Sequence, residues 1–451
     1  MESEASHQQP KRNKSINNSQ LSPTSMQDLI SYLPPELVTE ILSRLPIKTL
    51  LKFKCVSKSW LDLISSPKFV KFHLSLNTNN KEHTHHKFLM NCRPTYNFKD
   101  CSYKVLMNYH PTYNFKDCSL SSLYNESSTE AKELDYPMKS YAMHRRVPYG
   151  DSIVGSANGL ICLVIGKMKF FLWNPSIRKY QQLPDPKTSV RCFPRRAYGF
   201  GYDKFHDYTP RGPYGFGYDE FHDDYKVVCF SNDDLHDDGS CELEVKIYSL
   251  KSDSWRRVDG CPCPVQQYFS GTFLNGKLHW GTLIDKSRLT TANKRIVIPK
   301  IISIDLADEK WGEMEQPCDQ TGHINLGLGV LGNDLSVSCN CSHTHLDFWV
   351  MKEYGVKESW TKMFTLKYPE HRLGKGTQGL ICLHMANEGE FLVAFLGSNF
   401  MICNPKGDSL RYLEVINSER FSNLEIYVES LVWPFSTGRT EDATKKVLKG
   451  W

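Results

Sequence analysis

The chain has 451 residues, more than one hydrophobic core usually organises, and 40% of them are hydrophobic and 12% aromatic. These values exclude a wholly disordered chain and indicate at least two folded units. The net charge of +5 comes from 55 basic and 50 acidic residues, an excess too small to indicate a nucleic acid or an anionic membrane as partner.

Membrane spans and disulfides are also not expected. No apolar stretch approaches the roughly 20 residues that span a bilayer, and the N-terminus is polar, without the apolar core of a signal peptide. The 15 cysteines are scattered, unlike those of a small disulfide-linked domain, and we expect them to be reduced thiols. The sequence therefore predicts a cytoplasmic or nuclear protein.

The chain opens with a polar segment and continues with a helical unit. Residues 1–28 hold too few apolar side chains to offset the entropy of ordering, so we predict a disordered tail. Over residues 29–76, apolar residues recur at helical spacing: Leu37, Ile41 and Leu45 form one stripe, and Pro46 ends that helix. Three further short helices follow, the last with Ser66 as its N-cap and a proline at its first position.

A unit of about 40 residues is too small to bury all of these apolar groups, because small domains hide a lower fraction of their surface. Part of the apolar surface should therefore stay exposed, which usually marks a site for a partner. For any single leucine, a place in the core of a small helical bundle is an equally good interpretation.

The order of these residues resembles the F-box pattern of plants. The resemblance is carried by Leu33-Pro34, Ile41-Leu42-Ser43-Arg44-Leu45-Pro46, Val56-Ser57-Lys58-Ser59-Trp60, Pro67 and Phe69. It implies that the unit binds a Skp-family adaptor, which bridges to a cullin-RING scaffold. The residues that it implies at the adaptor interface are Leu33, Pro34, Leu37, Ile41, Leu45, Pro46 and Leu50. Those that it implies between the helices are Val56, Trp60 and Ile64.

Residues 84–435 are predicted to form β-strands. Apolar residues alternate in short runs, as in 243–250, and each run follows a polar or small-residue turn such as Asn275-Gly276. The units end at five aromatic residues: Tyr180, Trp255, Trp311, Trp360 and Tyr412. Their intervals are 75, 56, 49 and 52 residues. Units of about 50 residues with four strands and a terminal aromatic are typical of kelch-like propeller blades, and we expect these aromatics to be structural.

Two segments of this region are duplicated in tandem. Residues 94–102 recur as 111–119, and 198–207 recur with one substitution as 214–223. The second duplication accounts for the long first interval. We expect both to be insertions in surface loops, because a longer loop costs little entropy.

Five units are visible, and a sixth forms if strands near residues 87–91 pair with residues 426–435 and close the ring. Residues 170–178 and 214–228 resemble the F-box-associated domain of plant F-box/kelch proteins. The sequence thus predicts a multidomain α and all-β protein: a small helical F-box, then a kelch-like β-propeller of six blades, then a C-terminal tail at residues 436–451.

No motif supports catalysis, a metal or a cofactor. The glycines of 327–332 match a dinucleotide-binding spacing, but a second strand follows them, so we predict a strand, a turn and a strand. Cys339, Cys341, His343 and His345 are of zinc-ligand types, yet alternate strand residues lie too far apart to surround one ion. The acidic residues of 219–238 lack calcium-loop spacing.

These observations, together with the resemblance, predict a non-catalytic adaptor that recognises a ubiquitination target. Its F-box would bind the Skp-family adaptor, and its propeller would bind a target protein. Two alternatives stay open. One is a propeller with a carbohydrate-binding or enzymatic role, because the fold does not determine function. The other is an F-box scaffold with no role in degradation.

Overall fold

The structure is a computed structural model that describes residues 33–80, 82–93, 114–136, 152–166, 168–187, 213–232, 243–262, 270–285, 297–317, 326–341, 345–367, 380–385, 389–395, 399–405, 409–418 and 420–435. The predicted tails at residues 1–28 and 436–451 lie outside these ranges. So do the first copies of both tandem duplications.

Four helices form the N-terminal unit: α1 (Pro35–Ser43), α2 (Ile47–Phe53), α3 (Lys58–Ser65) and α4 (Pro67–Thr78). Prolines precede α1 and α2, and serines cap α3 and α4. The Ser66 hydroxyl accepts a hydrogen bond from the Phe69 N–H at 3.2 Å, which satisfies one of the unpaired donors at a helix start. The predicted cap of the fourth helix is therefore confirmed.

Most of the remaining described residues form strands. In chain order these are β1 (His86–Arg93), β2 (Asn114–Ser119), helix α5 (Leu120–Asn125), β3 (Ser128–Glu130), β4 (Lys132–Glu133), β5 (Ser152–Ala157), β6 (Leu160–Ile165), β7 (Lys169–Asn174), β8 (Lys179–Gln182), β9 (Tyr214–Asp219), β10 (Asp224–Asn232), β11 (Leu243–Ser249), β12 (Ser254–Arg257), β13 (Thr272–Leu274), β14 (Lys277–Asp285), β15 (Val297–Asp305), β16 (Trp311–Met314), β17 (Leu326–Leu331), β18 (Asp334–Cys341), β19 (His345–Met351), β20 (Trp360–Lys367), β21 (Leu380–Met385), β22 (Phe391–Phe395), β23 (Asn399–Asn404), β24 (Ser409–Ile416) and β25 (Arg420–Val428). A 3-10 turn, Lys357–Ser359, precedes β20.

The strands form six antiparallel blades around a ring, as predicted. From the inside outwards, blades 1 to 5 are β5–β8, β9–β12, β13–β16, β17–β20 and β21–β24. Blade 6 is built from both ends of the chain, in the order β25, β1, β2 and β4. The predicted closure is confirmed, with β25 as the partner of β1 in a register that sets Phe88 opposite Ile426. Closing the ring in this way hides the backbone edges of the first and last strands.

A fifth strand covers part of the outer edge of blade 5. Strand β3 pairs parallel to β24, with Ser128 opposite Glu414 and Glu130 opposite Ile416. The chain then passes to blade 6, where β4 pairs with β2. The segment thus joins the outer edges of two blades, and it shows that an outer strand in this protein can accept another.

The second copies of the duplicated segments are not surface loops. Residues 114–119 form β2, with Phe115 and Cys118 buried, and residues 214–219 form β9, with Phe216 buried. The expectation of surface loops is wrong for these copies, because the entropy of a loop is only one contribution to the free energy of such a segment. In β9 apolar side chains alternate with glycines, and in β2 Phe115 and Cys118 pack into two different apolar clusters on opposite faces of the strand, so both segments are stabilised as strands.

Strand β9 shows why its glycines alternate with aromatics. Tyr214 and Phe216 face the apolar cluster between blades 1 and 2. Gly215 faces blade 3, where an added Cβ would lie 2.7 Å from the Trp280 ring. The alternation therefore gives this inner strand an aromatic side and a side without side chains, so that blade 3 can approach closely.

The predicted blade aromatics all lie on outer strands, but they do not play the same part. In three of them the indole N–H donates to a carbonyl that follows the outer strand of the preceding blade: Trp255 to Pro184 O (2.7 Å), Trp311 to Asp259 O (3.1 Å) and Trp360 to Glu315 O (3.0 Å). Tyr180 packs on the cluster between blades 6 and 1. Each of these four side chains therefore contacts a neighbouring blade.

Tyr412 departs from the prediction because of its register. Opposite strand β23, Leu410 pairs with Cys403, the position equivalent to Tyr180 opposite Trp173, whereas Tyr412 pairs with Met401 two residues further on. The Tyr412 side chain is 42% exposed. The aromatic was therefore assigned to the wrong position of the repeat.

Most cysteines in the described ranges are free thiols, including the buried Cys92, Cys162 and Cys229. Burial raises the pKa of the Cys162 thiol well above its ordinary value, so it packs as a small apolar group. Cys339 is disulfide-bonded, and the expectation of reduced thiols fails there. The strand, turn and strand predicted around residues 327–332 are confirmed by β17 and β18.

Candidate functional site

One face of α1 leaves a row of large apolar side chains in solvent. Leu37 and Ile41 are 51% and 53% exposed, and Leu33, two residues before the first residue of the helix, is 43% exposed. Residues four apart lie on one face of a helix, so Leu37 and Ile41 share a face. We call Leu33, Leu37 and Ile41 together the apolar stripe. Val38 and Leu42, about 100° further around the helix, are buried in the helical core. The exposure of Leu37 and Ile41 is therefore a property of one helix face, while the adjacent face is used for folding.

The structure separates the residues that the resemblance assigned to the adaptor interface. Pro34 and Pro46 are exposed beside the stripe, and Leu45 is partly buried. Leu50 is completely buried, so its expected place on the surface is wrong. It lies three residues after the buried Ile47 on the inner face of α2, where it contributes to the helical core.

The three residues assigned to the space between the helices also differ from one another. Ile64 is completely buried, and Trp60 packs its ring 5.3 Å from that of Phe53. Val56 is 43% exposed, which contradicts its assignment. It lies in the turn between α2 and α3. The pattern also gave no sign that Leu61, likewise 43% exposed, would add to the apolar surface.

The helical unit is seated on one face of the propeller. Its apolar core continues into Leu431, which follows β25, and Ile177, in the turn between β7 and β8. Helix α4 adds two polar contacts, from Asn77 Nδ2 to the Glu429 carbonyl at 3.4 Å and from Lys71 Nζ to an Asp223 carboxylate oxygen at 3.0 Å. The contacts reach blades 6, 1 and 2, so the apolar stripe is held in a defined orientation to the propeller.

The linker that follows α4 carries a cluster of imidazoles. The His83 ring lies 4.3 Å from that of His384 on β21 and 5.1 Å from that of His86. Burial, with the neighbouring imidazoles, lowers the pKa of His86 to about 4 and that of His384 to about 3. These rings are therefore neutral at neutral pH, and His384 Nδ1 is paired with the Tyr124 hydroxyl at 3.0 Å.

Two further observations concern metal binding and membrane-spanning helices. Within the described ranges, no three His, Cys, Asp or Glu side chains are grouped so that they could hold a metal ion. Across the same part of the chain, no helix is long and apolar enough to cross a membrane.

Comparison with known proteins assigns both units. The family model of the F-box domain matches residues 30–72, and the model of the F-box associated beta propeller domain matches residues 106–437. The chain belongs to the F-box proteins that carry this propeller. The exposed stripe on α1 therefore lies in an F-box domain, which implies binding to a Skp-family adaptor, and the protein is an F-box substrate-recognition adaptor.

The relatives of this F-box protein are similar over most of their length. An F-box/kelch-repeat protein of Arabidopsis thaliana is 32% identical, over 74% of this chain and 79% of its own. The F-box protein CPR1 of the same plant is 29% identical, over 76% and 74%. Solved structures are more distant: an α-L-arabinanase of Penicillium chrysogenum is 12% identical, with a TM-score of 0.36 over 61% of this chain and 82% of its own. At that distance we draw no functional conclusion from it.

Proposed function

We propose that this F-box protein is the target-binding subunit of an SCF-type E3 ubiquitin ligase. Its F-box, which we assign to residues 29–76, would bind a Skp-family adaptor and through it a cullin-RING scaffold. Its propeller, which we assign to residues 84–435, would bind the target protein. Such a complex works in the cytoplasm or the nucleus.

The observation that carries the proposal is the row of Leu33, Leu37 and Ile41 in solvent. Leaving three large apolar side chains in water costs free energy, at about 25 cal/mol for each Å² of apolar surface that a partner would otherwise cover. Contiguous exposed apolar residues on a folded unit usually mark an interface. Here the stripe lies in a domain of the family that binds Skp-type adaptors.

The chain would contribute proximity to the reaction. Holding a target near a ubiquitin-charged enzyme raises the effective concentration of the target's lysines without any catalytic group on this chain. The contacts of Leu431, Ile177, Asn77 and Lys71 support this role, because a target held by a rigid arm keeps a constant distance from the scaffold.

The test replaces the stripe with charge. In the full chain, Leu37→Glu with Ile41→Glu should abolish co-purification with a Skp-family adaptor, since two carboxylates would have to be buried in an apolar interface. Leu76→Glu is a matched control, because Leu76 is a 40% exposed leucine of α4 outside the stripe. Both variants should melt like the parent. Undiminished adaptor binding by the double variant would refute the interface.

A further inference from the structure

The outer edge of blade 1 is an open strand edge. Strand β8 pairs with β7, and no other strand among the described residues pairs with it. The register sets Leu172 opposite Gln181, and the Leu183 N–H donates to the Phe170 carbonyl at 2.9 Å. Peptide groups of successive strand residues point to opposite sides. Gln181 therefore directs its backbone groups to β7.

By the same alternation, Tyr180 and Gln182 direct their peptide N–H and C=O groups away from the blade. One of these outward groups already has a hydrogen-bond donor, as it would in a ladder with a partner strand. The Gln182 carbonyl accepts a hydrogen bond from the Gln181 side-chain Nε2 at 3.1 Å. The edge can thus form a ladder with an incoming strand.

A cavity of about 320 Å³ lies beside this edge, between blades 1 and 2. Its lining residues are Gln181, Gln182, Leu183, Pro184, Asp253 and Phe435. The wall has an apolar part, from the leucine, the proline and the phenylalanine, and a part rich in hydrogen-bond acceptors. The acceptors are the Asp253 carboxylate, whose Oδ1 already accepts a hydrogen bond from the Tyr248 hydroxyl at 2.8 Å, and the Gln181 Oε1. The Gln181 Oε1 is shielded from solvent and has no hydrogen-bond partner within the described ranges.

Among the residues that line the cavity, the one ionisable side chain is the carboxylate of Asp253, which favours a cationic guest over an anionic one; the nearby Lys246 Nζ donates to the Pro186 carbonyl at 3.1 Å. The one basic side chain of β8, Lys179, is directed over the Trp433 ring, with its Nζ 5.8 Å from the ring centroid. Burying an acceptor without a partner is unfavourable, and a bound donor would relieve that cost. An arginine or lysine side chain supplies both the donors and an aliphatic stem that can lie along apolar surface.

Blade 5 shows that a fifth strand is compatible with these blades, because β3 pairs with the outer strand β24. We propose that the outer edge of blade 1 binds an extended segment of the target as a fifth strand, with one arginine or lysine side chain of that segment in the cavity. The proposal rests on the proposed function, since it names the site and the chemistry by which the propeller takes its target. Strand addition gives affinity through the backbone, and the cavity gives specificity through one side chain.

The first experiment measures amide hydrogen exchange in the full chain, with and without the peptide Thr-Val-Thr-Arg-Thr-Val-Thr. Without peptide, the Tyr180 and Gln182 amides should exchange fast, and the Gln181 amide, bonded to β7, should be protected. Peptide should slow the first two at least tenfold and leave Gln181 unchanged. A peptide that is N-methylated along the edge that pairs with β8 should give the Tyr180 and Gln182 amides no protection. Slow exchange of Tyr180 and Gln182 in the free chain would show a covered edge and overturn the proposal.

The second experiment tests the cavity with a pair of variants. Gln181→Leu removes the acceptor and should weaken binding of the arginine peptide about tenfold, the loss expected for a hydrogen bond to a charged group. Gln181→Glu should strengthen it. A peptide with glutamate in place of arginine should bind the parent chain at least tenfold more weakly. Equal binding of the two peptides would refute the cationic guest.

Adaptor binding keeps the two proposals apart. Gln181→Leu lies outside the F-box and should co-purify with the Skp-family adaptor as the parent does. Failure of the peptide experiments with intact adaptor binding would refute the strand-addition site alone. Loss of the proposed function would instead appear in the absence of adaptor binding by the parent chain.

Discussion

A single carboxyl group lies at the seam where the propeller closes. Glu425 on β25 accepts two hydrogen bonds from Ser156 on β5, from the backbone N–H at 3.2 Å and from the hydroxyl at 3.1 Å. Burial raises the pKa of Glu425 to about 7, and the Ser156 bonds only partly oppose it. Because the folded chain then holds this proton more tightly than the unfolded chain, Glu425 makes the free energy of unfolding decrease as pH rises from about 4.5 to about 7.

Glu425→Gln should remove this dependence, because a glutamine keeps the acceptor for Ser156 and carries no charge. We expect the variant to be about 1–3 kcal/mol more stable than the parent at pH 8, a range reduced for the partial exposure of the residue. At pH 4.5 the two should be equal, since the carboxyl is then neutral in the folded parent. Urea unfolding of both chains at both pH values measures these free energies. A difference in stability between variant and parent that is the same at pH 4.5 and pH 8 would contradict the prediction.

For single residues of the F-box, helical spacing predicts some positions and not others. The spacing of Leu37 and Ile41 placed both on one face, and the structure leaves that face exposed. The spacing could not distinguish Leu50, which is buried, from Val56, which is exposed. Both belong to short segments whose orientation is set by packing between helices, and a pattern along one segment does not contain that information.

Outer strands are linked to the preceding blade through tryptophan. In blades 2, 3 and 4 the indole N–H of an outer-strand tryptophan donates a hydrogen bond to a carbonyl of the preceding blade. Trp311 also packs its ring 6.0 Å from Phe230 and 6.4 Å from Trp280. The recurrence of aromatics along the sequence therefore reports contacts between blades, which is why it revealed the repeat.

Trp311→Phe should separate the hydrogen bond from the ring packing, because phenylalanine keeps an aromatic ring and lacks the donor. We expect a loss of about 0.5–1.5 kcal/mol, towards the lower end since the Asp259 carbonyl can be hydrated instead. Thermal unfolding of the variant and of the parent chain measures the loss. A loss above about 3 kcal/mol would mean that ring packing is also disturbed.

The length of the propeller repeat was predictable from the sequence. The register of Tyr412 and the strand at β2 were not. The five aromatics are equally visible in the sequence, yet Tyr412 is displaced by two residues from the position of the others. Strand β2 looked like a loop because it duplicates an upstream segment. Register and strand choice depend on which neighbour a segment pairs with, and local alternation is satisfied by several answers.

At the scale of the whole molecule, the second copy of each duplication forms a strand whose first residue lies far from the F-box. Strand β1 begins opposite Val428, close to the residues that contact the F-box. It ends at Arg93, opposite Arg420, and residues 94–113 follow in the chain. Strand β9 runs towards the turn of Asp223, which contacts α4, so its first residue, Tyr214, lies at the other face. One copy of each duplication already supplies a strand of the propeller.

Deleting residues 94–110 or 197–212 removes one repeat unit and leaves β2 or β9 with its own sequence. Because shortening a loop changes its closure entropy only slowly, we expect the free energy of unfolding to change by about 1 kcal/mol or less. Co-purification with the Skp-family adaptor should be unchanged, since neither deletion removes a residue of the F-box or of its described contacts with the propeller. Adding Phe216→Asp to the second deletion is the control, because that chain has no intact copy left and should not fold. A deletion that by itself prevented folding would show that the first copy contributes to the propeller core.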